Sequence, residues 1–322
     1  MTRCTVLASS WLLAMTAACA KSPSHDRAGF VLPGADFFPE GITTTRDGSF
    51  FVGSVRTGAI LRRGPGSRQF DVFVSGGDPA VRQVQTAEGL LVDEASGVLW
   101  VCDGGAPPSH PSAVLGLSLQ DGHTVVRHPF PEREAFCNDL TMDDEGALYA
   151  SDSFAPRILR VAALDKLVNA KAVVWATDRR WEVMPGEYGL NGLAYLQGNV
   201  YAVHTQHNEL FRIPLTPQGT AGESVAVSLD RPLTRPDGIE IAADGSLLIV
   251  ESGANRLVRA ELQGDRGAIS VLATGFEGPT TFALFADSAW VVEGQLDHLA
   301  DQKPRLPFRI VRQVLDGALV SP

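Results

Sequence analysis

The sequence predicts an all-β fold, a six-bladed β-propeller with four antiparallel strands per blade, closed by an N-terminal strand that completes the last blade. Three observations carry that expectation. A hairpin-like unit recurs along the chain, its period falls in the range of propeller blades, and most copies are followed by two more short apolar runs. The units open at Glu40, Glu88, Asn138, Asn191, Asp237 and, in degenerate form, Thr280, with spacings of 48, 50, 53, 46 and 43 residues. Helical arrays share such periods, but these units alternate apolar and polar residues with period two and are punctuated by turn residues. At 322 residues, with no Pro/Ser-rich or charge-rich linker, the chain reads as one large domain rather than two.

The first segment lies outside the fold. Met1-Thr-Arg-Cys4 is a short cationic start, Val6 to Ala18 an apolar core of about 13 residues, and Thr16-Ala-Ala-Cys19 a small-residue cleavage site. That core is too short to span a bilayer as a helix. The expected organisation is a signal peptide over 1–19, a tether over 20–28 and the propeller over 29–322. Removal of such a segment implies export, and the oxidising compartment beyond the cytoplasm permits disulfides. Only Cys102 and Cys137 remain for one in the mature chain, and they are either bridged or two small buried thiols.

Within the units, Arg235-Pro-Asp-Gly-Ile-Glu-Ile-Ala-Ala-Asp-Gly-Ser-Leu-Leu-Ile-Val-Glu251 shows the local logic. Two strands meet at Asp244-Gly245, a strong hairpin signal. Third and fourth strands follow, as in Ala59-Ile-Leu-Arg62 with Phe70-Asp-Val-Phe-Val74, and Arg256-Leu-Val-Arg259 with Ala268-Ile-Ser-Val-Leu272. The sixth unit offers a third strand at 308–315 and little after it, while Gly29-Phe-Val-Leu32 has no partner of its own. Pairing the two covers edges that would otherwise stay open. Trp100 and Trp290 sit in alternating strand patterns and read as core.

The hairpin at Asp244-Gly245 leaves Asp237-Gly238 unexplained. In a propeller the first strand of each blade lines the central channel, so equivalent positions form a ring. Glu40, Glu88, Asn138, Asn191 and Asp237 occupy that position in blades one to five, and all are oxygen donors. Converging carboxylates repel unless a positive charge sits between them. Carboxylates with amide carbonyls, and no His or Cys, suit Ca2+, with Mg2+ or Mn2+ behind it and Zn2+ least favoured. As turn caps, Asn and Asp would serve a bland purpose at any one of these sites; five aligned positions argue for the ring. A second ring, Ser54, Asp103, Asp152, His204, Glu251 and Glu293, ends the second strands and supplies weaker acid/base candidates, since polar strand ends often only bond turn backbone. His204-Thr-Gln-His207 has a metal-like spacing, but neighbours three apart on a strand point to different sides. The turn-rich stretch from Gly104 to Pro111 is either a rim of the channel or a solvent-exposed connection.

Glu40-Gly, Asn138-Asp-Leu, Leu190-Asn-Gly-Leu-Ala and Arg235-Pro-Asp-Gly-Ile together resemble the motifs of the senescence marker protein, gluconolactonase and luciferin-regenerating enzyme family, with paraoxonases and strictosidine-synthase-like propellers as more distant relatives. The resemblance runs from about residue 30 to 315. It implies a six-bladed propeller with a catalytic divalent cation, usually calcium, held by Glu40, Asn138, Asn191 and Asp237, and hydrolysis of lactones or esters. It also implies Asp237 as general base; Glu88, which faces the channel without being one of those four ligands, is the alternative, and Asp152 and His204 of the second ring are third choices. Two positions depart from the pattern. Ala135-Phe-Cys137 stands before Asn138 without the Arg of sugar-lactone members, and Glu88 replaces the His of paraoxonases. The segment ending at Cys19 resembles the lipobox of bacterial lipoproteins, with Thr16 in place of the usual Leu, which implies a lipid-anchored protein of the cell envelope or periplasm. An ordinary secretory signal is the alternative.

The net charge of -10 and the lack of a basic run argue against nucleic acid or another phosphate-backbone partner. No Gly-rich phosphate loop, nucleophile elbow or Cys-His pairing occurs. Two function classes follow: a cation-dependent lactone or ester hydrolase, and a non-catalytic propeller that binds a partner and keeps the cation as a structural plug. The expected partner is a small-molecule substrate, membrane contact is only through the N-terminal lipid, and a monomer is expected.

Overall fold

A computed structural model describes residues 28–106, 109–132 and 134–319. The signal peptide expected over 1–19, with Cys19, and most of the tether fall outside the described residues.

Six sheets arranged in chain order account for the regular structure, joined by turns and short 3-10 segments. Each is a meander whose first strand is innermost: Pro39–Thr44, Ala87–Asp93, Cys137–Met142, Leu190–Leu196, Pro236–Ile241 and Pro279–Phe285. This is the six-bladed propeller the repeats imply. In blade six, Gly29–Val31 pairs antiparallel with Arg309–Val314 through Gly29↔Val311, Phe30↔Ile310 and Val31↔Arg309, so the chain's start closes its end. Phe30 stacks on Trp290 with ring centroids 4.8 Å apart, and the Arg63 guanidinium of blade one lies over Phe30 at 4.2 Å.

Blade five departs from four strands. Ser228–Leu229 adds a fifth, parallel to the outermost strand Arg266–Thr274. That strand is nine residues long and forms an extended outer edge, which the passing connection from blade four partly covers.

The core lies between blades, and strand alternation distributes it. In Val98–Asp103 the side chains of Leu99 and Val101 join Phe51, Ile60 and Val74 of blade one, whereas Val98, Trp100 and Cys102 join Leu140, Leu148 and Leu159 of blade three. Trp100 is therefore core, as its pattern implies. Cys102 faces blade three and is disulfide-bonded to Cys137 at the start of that blade's inner strand, with Cα atoms 5.1 Å apart.

Candidate metal centre

Pairing register singles out the ring positions. In blade one Pro39 pairs with Ser54 and Ile42 with Val52, so Glu40 and Gly41 together face Gly53 in a β-bulge. The same shift recurs in every blade: Glu88-Gly89, Asn138-Asp139, Asn191-Gly192, Asp237-Gly238 and Thr280-Thr281 each oppose a single residue. A bulge leaves one residue outside the ladder and re-aims its side chain. All five sequence-predicted donors thus occupy the first bulge position of their blades.

The second bulge position is set by close approach of the next blade. A Cβ on Gly41 would lie 2.0 Å from the Glu88 carbonyl oxygen, and one on Gly238 would lie 2.0 Å from Thr281 Oγ1. Glycine is required there by space. Blade three breaks the rule with Asp139, whose carboxylate lies where a Cβ on Gly89 would intrude and accepts a bond from Leu193 N at 2.8 Å. Blade six departs at both positions, with Thr281 at the second and Thr280 at the first. Thr280 is no carboxylate or amide, and its hydroxyl donates to the Glu40 carbonyl at 3.0 Å, joining the last blade to the first.

Four of the five donors are buried, Asp237 is half-buried, and two of the buried ones have an oxygen without a hydrogen bond. Glu40, Glu88, Asn138 and Asn191 are all buried, and neither Glu40 Oε2 nor Asn138 Oδ1 has a hydrogen-bond partner. Asn191 donates its amide nitrogen to Thr205 Oγ1 at 3.2 Å, which in turn donates to the Pro236 carbonyl, so the side-chain carbonyl is what Asn191 can offer a ligand. Orphaned buried acceptors on blades one and three are costly and call for a cation or water to satisfy them.

Electrostatics locates the carboxylates relative to one another. Burial, then the charges of Glu88, Asp237 and Asp139, holds the Glu40 carboxyl well above the ordinary carboxylate range. Burial, with Asp103 and Asp237 adding, pushes Glu88 up to about 8, and the nearby Thr86 hydroxyl opposes this. Asp237 rises to about 8 through burial and the charge of Asp139, against the Asn191 amide and Arg235. Glu40, Glu88 and Asp237 therefore feel one another across the channel mouth. Among the described residues, no three His, Cys, Asp or Glu side chains gather into a metal-binding cluster. The candidate donor set mixes two carboxylates with two amides, a composition that fits a hard oxygen-loving ion such as Ca2+ rather than zinc.

Asp152 and His204 are built into the scaffold. Asp152 Oδ1 accepts from Phe136 N at 3.0 Å and Phe154 N at 3.1 Å, while Oδ2 takes Arg157 Nε at 2.9 Å. His204 Nδ1 accepts from His207 N, which places the ring proton on Nε2 toward the Trp181 carbonyl at 3.2 Å. Its ring stacks on His207, and burial lowers it to about 4, so it is a neutral strut. The rest of the second ring follows suit. Asp103 Oδ1 accepts from the backbone of Gln85, Thr86 and Gly105, Glu251 pairs with Arg231 and Arg256, Glu293 accepts from Glu277 N, and the Ser54 hydroxyl donates to the Phe37 carbonyl. These strand ends fasten loops on the donor-bearing face.

Two channel carboxylates have no counterpart in the sequence expectations. Asp139, half-buried, is raised to about 6 chiefly by desolvation, and Glu240, whose side chain still reaches solvent, is raised by its place in the channel and the charge of Asp139; both line a channel of about 120 Å³ with Glu40 and Asn191. Asp139 was legible as the one acidic residue among the glycines of the aligned bulges. Glu240 had no such mark, being one polar residue in an alternating strand.

No family model and no curated protein matches the chain. Solved structures do. A calcium-binding protein, regucalcin, from Agrobacterium tumefaciens is 16% identical over 91% of this chain and 97% of its own, with a TM-score of 0.64. A proposed gluconolactonase is 16% identical over 90% and 94%, with a TM-score of 0.62. Virginiamycin B lyase from Staphylococcus aureus is 16% identical over 81% and 79%, with a TM-score of 0.57. The likeness is one of fold. A calcium binder, a proposed lactonase and a lyase on one architecture leave the chemistry to the site.

Proposed function

We propose that the protein is a divalent-cation-dependent hydrolase of lactones or esters, with Glu40, Asn138, Asn191 and Asp237 as the cation's ligands. The observation that carries this reading is the bulged ring. Five successive blades present Glu, Glu, Asn, Asn and Asp at one structural position, and two of the buried oxygens there are orphaned. Such an arrangement destabilises the protein on its own and is repaid by a ligand of positive charge. The resemblance of the motifs to the gluconolactonase family, and structural neighbours that include a calcium-binding protein and a proposed gluconolactonase, support the same reading.

A divalent cation in such a site polarises a carbonyl oxygen and stabilises the negative charge that grows on it. The chain's own residues do the rest. Asp237, with a second oxygen beyond the one a ligand needs, would take the proton of an attacking water. Glu88, at the same bulge position of blade two without being one of the four ligands, is the alternative base. Asp152 and His204, fastened to loop backbone, hold the rim in shape. The sequence of the N-terminal segment supports an exported, lipid-anchored protein of the cell envelope, and the reading takes a small molecule as substrate and the protein as a monomer.

Purified protein assayed against aliphatic, aryl and sugar lactones with Ca2+, Mg2+, Mn2+ or Zn2+ tests this. Turnover that disappears in chelator and in Asp237→Ala is the expected result. A folded, calcium-loaded protein inert on the whole panel would instead favour a binding propeller with a structural cation.

A further inference from the structure

On the donor-bearing face, three aromatic side chains form a wall whose role the catalytic reading leaves open. Phe136 lies two residues before Asn138, Tyr188 three before Asn191, and Phe154 just beyond the second strand of blade three. Their ring centroids are mutually close: 5.1 Å for Phe136–Phe154, 5.3 Å for Phe136–Tyr188 and 5.3 Å for Phe154–Tyr188. Clusters of this kind belong in a core, yet Phe154 is 43% and Tyr188 44% exposed.

The wall is held rigidly. One oxygen of the buried Asp152 accepts from the backbone N–H of both Phe136 and Phe154, Ser153 N donates to the Phe136 carbonyl at 2.9 Å, and Gly189 N donates to the Ser153 carbonyl at 2.8 Å. Phe136 is fitted against blade two, where a Cβ on Gly104 would meet its ring at 2.7 Å. Phe136 and Tyr188 precede the inner strands Cys137–Met142 and Leu190–Leu196 that carry Asn138 and Asn191, so the wall stands at the end of the blades that bears those two donors. A fixed aromatic surface, half open to solvent and flanking two proposed ligands, gains most by covering apolar atoms of a bound molecule.

Building on the hydrolase reading, we propose that Phe136, Phe154 and Tyr188 form the subsite for an apolar substrate tail, so that the substrates are alkyl- or aryl-substituted lactones or esters rather than sugar lactones.

The test is a chain-length series of γ-alkyl-γ-lactones assayed with Ca2+, alongside gluconolactone. In the wild type kcat/KM is expected to rise by about fourfold per added methylene over the first few carbons, the equivalent of about 0.8 kcal/mol each. In the Phe154→Ala/Tyr188→Ala double variant that slope flattens toward onefold, whereas Phe154→Leu, which keeps apolar area, retains most of it. A purely structural role would alter all chain lengths alike. An unchanged slope in the double variant, or a wild type that prefers gluconolactone, overturns the proposal. Calorimetric binding of the matching γ-alkyl-γ-lactams, which are not hydrolysed, separates the two readings. If no lactone is turned over, the hydrolase assignment fails, while lactam affinity that grows with chain length in the wild type alone still establishes the subsite.

Discussion

At the scale of single residues, the centre depends on what fills two adjacent bulge positions. The first must offer an oxygen and the second must be small. Gly41→Ala puts a methyl carbon against the Glu88 carbonyl, a backbone atom that moves only with its blade. Overpacking of this kind costs about 1–3 kcal/mol or more, so the denaturation midpoint should fall clearly. Because the displaced backbone belongs to Glu88, turnover should fall in the protein that remains folded. Glu88→Gln asks a different question. It preserves shape and removes the proton acceptor, so kcat should drop by about 10²- to 10⁴-fold if Glu88 is the base. Calcium affinity, measured by calorimetry, should change far less than in Asp237→Ala. An unimpaired kcat in Glu88→Gln would leave the role with Asp237.

At the scale of elements, the disulfide ties the second strand of blade two to the inner strand of blade three, one residue before Asn138. Closing a loop across 35 residues of separation restricts the unfolded chain by about 4 kcal/mol in the loop-entropy account. Cys102→Ser/Cys137→Ser should therefore lower the unfolding free energy by an amount of that order. It should also weaken calcium binding, since the strand that presents Asn138 loses its anchor; urea titration and calorimetry read the two effects separately. The elements were largely legible in the sequence. Asp244-Gly245 marked a hairpin that the structure shows between Pro236–Ile241 and Leu247–Glu251, and the unpartnered Gly29–Val31 indeed closes blade six. The bulges were not legible, because register is a property of two paired backbones and leaves only indirect traces, here the glycine after Glu40, Glu88, Asn191 and Asp237. For the same reason the polar strand ends looked like candidate acids and bases: Asp152 titrates in any sequence, and only the fold shows the Phe136 and Phe154 amides that occupy it. Glu240 escaped notice because channel-facing and solvent-facing residues alternate alike in an inner strand.

At the scale of the whole molecule, the proposed ligands come from blades one, three, four and five and meet only when the ring is closed. Cation binding and folding are then one equilibrium, and pH sets its strength. With protein groups alone, Glu88 and Asp237 titrate near about 8, against ordinary values of 4.5 and 3.8. Below about pH 4 both are protonated in folded and unfolded chains alike, and their stabilising contribution is fully present. Between about pH 4 and 8 the unfolded chain releases these protons while the folded chain keeps them, so stability falls as pH rises. A bound cation reverses this by favouring the ionised carboxylates, so calcium should stabilise more at higher pH, while the protons it displaces on binding should be most numerous below about pH 8, where the metal-free carboxyls still hold them. Calcium at about a hundred times its dissociation constant adds about 2.7 kcal/mol, and the dissociation constant itself tightens as protons cease to compete. Melting temperatures of metal-stripped and calcium-loaded protein should therefore lie closer together at pH 5 than at pH 8. Glu251 and Asp178, which partners hold below their ordinary range, push stability the other way in both samples and cancel in the difference. A gap that stays constant or narrows from pH 5 to pH 8 would mean that calcium does not bind among these carboxylates, and the ring of oxygen donors would have to be explained without it.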